Sequence, residues 1–101
     1  MLFMVVERFR GRDGRSVYHH LRDHGRGLPE GLTVLGSWIE AHFDRCFQVM
    51  ACDDARLLQE WVLGWGHLVE FEIVPVVPSA EIRAVVEPQL GGSGNGGASN
   101  P

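Results

Sequence analysis

Apolar residues recur along most of this chain in two alternating rhythms. Met1 to Val6 is an apolar run that ends at Glu7, and Leu2 to Phe9 reads as a first strand, β1. Arg10-Gly11-Arg12-Asp13-Gly14 then turns the chain, with Asp13 placed to cap the next element. A helix α1 is predicted from about Gly14 to His24, with Val17, Leu21 and one of His20 or His24 on its apolar side. That pattern is thin, so packing must hold this helix more than propensity does. Leu32 to Ala41 reads as β2 and Arg45 to Cys52 as β3. His42-Phe43-Asp44 joins them as a short antiparallel connection. Asp53-Asp54 signals the start of α2, which runs to Gly64 or Trp65 with Leu57, Leu58, Trp61, Val62 and Trp65 as its buried stripe. Leu68 to Val77 is β4, and Ser79 opens a short final helix, α3, that Pro88 ends.

The order β-α-β-β-α-β is the split βαβ, or ferredoxin-like, arrangement. It predicts an α+β fold: one four-stranded antiparallel sheet with both helices on one face. The opposite face then needs a cover. In β3 the alternating sets are Phe47, Val49 and Ala51 against Cys46, Gln48, Met50 and Cys52. The first set is assigned to the helix layer. In β4, Phe71, Ile73 and Pro75 go to the helices and Glu70, Glu72, Val74 and Val76 to the other side. A face bearing Met50, Gln48, Glu72, Val74 and Val76 is semi-apolar, and a half-apolar face must be buried somewhere. A homodimer through that face, a dimeric α+β barrel, is the expectation.

Composition narrows the class without naming a reaction. One domain suits 101 residues, here assigned to positions 1–80, followed by a short extension at 81–90. The glycine-rich stretch from Gly91 to Pro101 has too little apolar surface to offset its ordering entropy and is expected to be disordered. The net charge of -4 gives no general attraction to nucleic acid or to an anionic membrane. Arg8, Arg10, Arg12 and Arg15 form only a local basic patch, read as a solvated turn. No apolar run approaches the roughly 18 residues needed to span a bilayer, and the first segment lacks the flanks of a signal peptide. A cytoplasmic protein is expected. Cys46 and Cys52 on one strand would lie about 20 Å apart, too far for a disulfide.

The candidate chemistry is sparse. His20 and His24 are one helical turn apart, the spacing of a metal pair, but no His-Glu-x-x-His pattern accompanies them. His42 precedes Cys46 closely enough to raise a thiol–imidazole pair, although nothing in the spacing demands it. Glu70 and Glu72 share a strand side, where solvated charges are the blander reading. No phosphate loop, metal motif or cofactor motif is present, and no cofactor is expected. Trp61 and Trp65 read first as core. Trp38 shares a parity with Gly36, and a small residue beside a large ring can leave a cleft. Tyr18, His20, Trp38, His42, Cys46, Gln48 and Glu72 are the candidate pocket residues, for a small apolar or aromatic ligand.

The opening Met1-Leu2-Phe3-Met4-Val5-Val6-Glu7-Arg8-Phe9 has several companions: Leu28-Pro29-Glu30-Gly31-Leu32, Ser37-Trp38, Arg45 to Met50, Cys52-Asp53-Asp54, Leu58 to Trp61 and Leu68 to Val76. In combination these segments resemble a small bacterial family of unknown function, domain of unknown function 3303. The resemblance covers about residues 1–80 and implies the dimeric α+β barrel fold. It carries no catalytic residues. The wider superfamily includes cofactor-free monooxygenases, haem-degrading enzymes and sensory domains, so fold alone leaves three readings open. These are a binder of a small apolar molecule, a cofactor-free monooxygenase-like enzyme, and a non-catalytic interaction module.

Overall fold

A computed structural model of the chain describes residues 1–91. The glycine-rich stretch beyond, expected to be disordered, lies outside the described residues. The elements are β1 (Leu2–Phe9), a 3-10 turn (Arg10–Arg12), α1 (Gly14–His24), β2 (Thr33–Ile39), β3 (Arg45–Ala51), α2 (Arg56–Trp65), β4 (Val69–Val76), α3 (Ser79–Val86) and a last 3-10 turn (Glu87–Gln89). The four strands form one open sheet in the order β2-β3-β1-β4. Every neighbouring pair is antiparallel. The fold is the expected ferredoxin-like α+β arrangement. Among the described residues, no helix is long and apolar enough to cross a membrane.

Local chemistry starts both helices where the sequence signals them. Asp13 caps α1, accepting the Ser16 backbone N–H at 3.0 Å and the Ser16 hydroxyl at 2.6 Å. Asp54 stands one residue ahead of the capping position of α2 and accepts the Arg56 N–H at 3.0 Å. Leu58, Trp61 and Trp65 then fall on one side of α2 and are buried. They pack with Val17 of α1 and with Phe3, Val5, Phe9, Met50 and Val69 of the sheet. Both helices therefore cover the same sheet face.

The register corrects the parity assigned to β3. Residues directly opposite on antiparallel strands share a face. Phe3 pairs with Met50 and with Pro75, and Val5 pairs with Gln48 and with Ile73. Cys46, Gln48 and Met50 therefore lie under the helices, and Phe47, Val49 and Ala51 lie on the open face. The expected grouping of Met50 and Gln48 with Glu72, Val74 and Val76 does not form, because the two sets point to opposite sides. The reasons are physical. Met50 is fully buried and unbranched, able to fill an irregular gap beneath the helices. Gln48 finds a buried hydrogen-bond partner there. Phe47 stays half-buried outside, with the Arg45 guanidinium 5.0 Å from its ring centre.

An irregularity between Val34 and Gly36 leaves Leu35 as the extra residue of β2. It lets Val34 face the core beside Met50 and still sets Ser37 opposite Gln48 and Trp38 opposite Phe47. Trp38 does not flank a cleft at Gly36. A Cβ on Gly36 would meet the Trp38 ring at 2.5 Å, so the indole itself covers that spot. All residues of α3 are exposed.

Met50→Ala removes a side chain with no solvent exposure, and it should cost about 2–5 kcal/mol in urea denaturation. A loss well under 1 kcal/mol would return Met50 to the open face.

Candidate functional site

A partly open cavity of about 180 Å³ lies between the sheet and the helix layer. Its floor is Glu7 of β1 with Cys46 and Gln48 of β3. Val17 and Leu21 of α1 and Trp61 and Trp65 of α2 form its walls, and the exposed Tyr18 and Arg26 stand at its outer side. Three of the candidates named from sequence, Tyr18, Cys46 and Gln48, meet in this cavity.

Glu7 gives the cavity its chemistry. It occupies a core-facing position of β1, between Val5 and Phe9, and is only 8% exposed. Gln48 Nε2 donates to Glu7 Oε2 at 2.6 Å, and Arg26 Nη1 donates to Gln48 Oε1 at 3.2 Å. A relay of polar contacts thus runs from the surface guanidinium to the buried carboxyl. Burial raises the Glu7 pKa from 4.5 to about 7, against the opposing pull of Gln48, the Cys46 thiol and the Arg26 charge. A carboxyl that changes charge near neutral pH inside an apolar pocket is suited to binding or moving a proton.

The backbone around Arg26 is held firmly. Both indoles of α2 donate to the Arg26 carbonyl, Trp61 Nε1 at 3.1 Å and Trp65 Nε1 at 2.9 Å. Gly25 and Gly27 flank it with φ of +69° and +68°, a conformation glycine adopts without steric cost. The two tryptophans read as core thus also brace the loop that carries a cavity residue.

The other sequence candidates lie elsewhere. Trp38 and Glu72 are on the open face of the sheet. His20 stacks edge-on against Trp65, with ring centres 4.5 Å apart, outside the cavity lining. His24 and His67 lie 4.6 and 5.3 Å from it. Partial burial and the two neighbouring imidazoles lower the His20 pKa. Among the described residues no group of three or more His, Cys, Asp or Glu side chains is arranged to hold a metal ion. His42 Nε2 sits 3.4 Å from Glu40 and 3.5 Å from Asp44, so it faces two carboxylates rather than Cys46. Burial pushes the Cys46 thiol up, with a 3.6 Å contact to Ser37 Oγ opposing, so it is not an activated thiolate.

Two arginines of the N-terminal patch, and Arg45 beside them, are paired with carboxylates. Arg10 pairs with Glu70 at 3.3 Å, Arg12 with Asp44 at 2.9 Å and Arg45 with Glu40 at 2.6 Å. These pairs line a broad open cleft of about 770 Å³. The Arg10 and Arg12 pairs are exposed and contribute little, and the cleft lacks the enclosure of a small-molecule site.

Residues 1–90 match a family described as Domain of unknown function (DUF3303). The chain belongs to that family. No curated protein matches the sequence. The membership supplies no activity.

Glu7, Arg26 and Ser37 are the polar cavity residues absent from the candidates named from sequence. A signal for Glu7 existed: in β1 it interrupts the alternate set Phe3, Val5 and Phe9, all of them buried. Arg26 left no such signal, because a loop has no period.

The raised carboxyl gives a pH signature. At pH values below 4.5 Glu7 is protonated whether the chain is folded or unfolded, and its burial goes unopposed by charge. As pH rises through about 7 the folded state must hold a buried carboxylate. The shift corresponds to a loss of about 3 kcal/mol of stability across that window. Glu7→Gln should therefore be more stable than the parent in urea at pH 8.5, with most of that advantage gone at pH 5. Equal pH dependence in the two proteins would remove Glu7 as the titrating group.

Proposed function

We propose that the protein is a binding module for a small one-ring organic molecule, held in the cavity between sheet and helices. The carrying observation is a buried carboxyl in a partly open pocket whose walls are otherwise mostly apolar. The volume of about 180 Å³ suits a single ring, since an apolar cavity of about 150 Å³ holds benzene. Aromatic walls with a few convergent polar groups are the usual make-up of a small-molecule site, and Trp61 and Trp65 supply those walls here. A reducing cytoplasm suits the two free thiols, Cys46 and Cys52.

A second copy of the chain is the proposed cover for the open sheet face. Leu2, Met4, Val6, Phe47, Val49, Val74 and Val76 lie on that face together with Trp38, and Met4, Val74 and Trp38 are exposed by 39%, 42% and 59%. The charged residues Arg8, Arg45 and Glu70 sit together in register at one end, with Glu72 next to them opposite Val6. A two-fold pairing about the apolar end buries the aliphatic side chains and leaves both signs of charge at the rim, where they cost least. Such a pair is a dimeric α+β barrel.

Two measurements test these readings. Titration with one-ring aromatic compounds should change the emission of Trp61 and Trp65 saturably and raise the melting temperature; no response to any of them would end the binding reading. Light scattering should give twice the chain mass for the parent and one chain mass for Val74→Glu. A parent protein that is monomeric at about 100 μM would reject the second copy, since a specific interface of standard size is normally tighter than that.

A further inference from the structure

The hydrogen-bonding groups of the cavity are unevenly occupied. Both indole N–H groups are taken by the Arg26 carbonyl. The Gln48 carbonyl is taken by Arg26, and one N–H of its amide by Glu7. The Ser37 hydroxyl and the Cys46 thiol contact each other at 3.6 Å. Glu7 differs from all of these. An ionised carboxylate has about four acceptor sites, and Glu7 draws on two donors, Gln48 and the Cys46 thiol. Leaving a buried charge short of partners costs more than leaving a neutral N–H or O–H short. The largest gain open to a ligand is therefore a hydrogen bond donated to Glu7.

The surrounding charges limit how that donor is delivered. The groups facing Glu7 are the Cys46 thiol and Gln48 amide from β3, the Arg26 guanidinium from the loop after α1, and Phe71 opposite it on β4. Tyr18 of α1 lines the same cavity. An ammonium group would be drawn to Glu7, but it would sit near the Arg26 guanidinium and have to shed its hydration in a mostly apolar cavity. A carboxylate ligand would meet Glu7 itself. A neutral donor avoids both penalties.

We propose that the cavity selects a neutral one-ring ligand carrying an O–H or N–H donor, such as a phenol, which donates to the Glu7 carboxylate. This rests on the reading that the cavity takes a ring at all, and it adds the polar requirement. Binding is then coupled to the ionisation of Glu7. The ligand recognises the carboxylate, so affinity rises with pH through about 7 and falls again only as the phenol itself ionises, near pH 10.

Calorimetric titration of the full chain with four probes of similar size tests this: phenol, toluene, benzoate and benzylamine. Phenol should bind at least tenfold tighter than the other three at pH 8.5. Its affinity should fall about tenfold at pH 6, where about one Glu7 in ten is ionised. Glu7→Gln should abolish the pH dependence and bring phenol close to toluene. The pH profile of the parent protein tests the coupling without any variant, should Glu7→Gln fail to fold. Toluene, benzoate or benzylamine matching phenol would overturn the donor requirement and leave the ring-binding reading standing. A phenol affinity equal at pH 6 and pH 8.5 would overturn the role of Glu7. Failure of all four probes to bind would overturn the ring-binding reading, and this inference with it.

Discussion

Strand β1 lies between β3 and β4, so its alternation dictates which side of the sheet every neighbouring residue takes. Phe3, Val5 and Phe9 go beneath the helices, where they pack with Trp61 and Trp65. Once they do, Met50, Gln48 and Cys46 on one neighbour and Pro75, Ile73 and Phe71 on the other follow by register. Glu7 follows as well. A strand cannot turn one side chain outward without a bulge, so the carboxyl is carried into the core by the residues on either side of it.

That forced burial explains the polar arrangement around it. An ionised carboxylate surrounded by Phe9, Val17 and Trp61 would be costly alone. Gln48 answers it from the adjacent strand, and Arg26 answers Gln48 from the loop. The two indoles hold the Arg26 backbone in place, so a residue on a loop is positioned almost as firmly as one on a strand. The opposing hydrogen bonds do not cancel the burial, and the group retains a pKa of about 7. The protein thus holds a carboxyl that titrates near neutral pH in its interior, beside a mostly apolar cavity. Stability alone gives no reason for that combination, because an apolar side chain of similar size would pack there without any desolvation cost.

The same register decides the other face. Leu2, Met4, Val6, Phe47 and Val49 are placed outside by the alternation that places Phe3, Val5 and Met50 inside. A four-stranded sheet with helices on one side has two apolar faces and only one cover. The sheet is open and, among the described residues, its outer face has no element of this chain across it.

Much of the architecture was legible in the chain itself. The run from Leu2 to Phe9, the Asp13 cap, the stripe of Leu58, Trp61 and Trp65 and the short helix after Ser79 are local patterns, and local hydrogen bonding and periodicity are enough to place them. Sequence patterning also led to Tyr18, Cys46 and Gln48, three of the cavity residues. It could not orient β3, because Phe47-Val49-Ala51 and Cys46-Gln48-Met50 are both plausible inner sets when the strand is considered alone. Only pairing with β1 separates them, since a period of two defines two faces but not which one meets the helices. For the same reason Trp38 and Glu72 parted from Gln48, and His20 and His42 settled against Trp65 and the carboxylates of Glu40 and Asp44. The sequence by itself determined the elements and their order, because those depend on contacts a few residues apart. The tertiary structure decided the site, because a carboxyl from β1, an amide from β3 and a guanidinium from a loop come together only through pairings between segments distant in the chain.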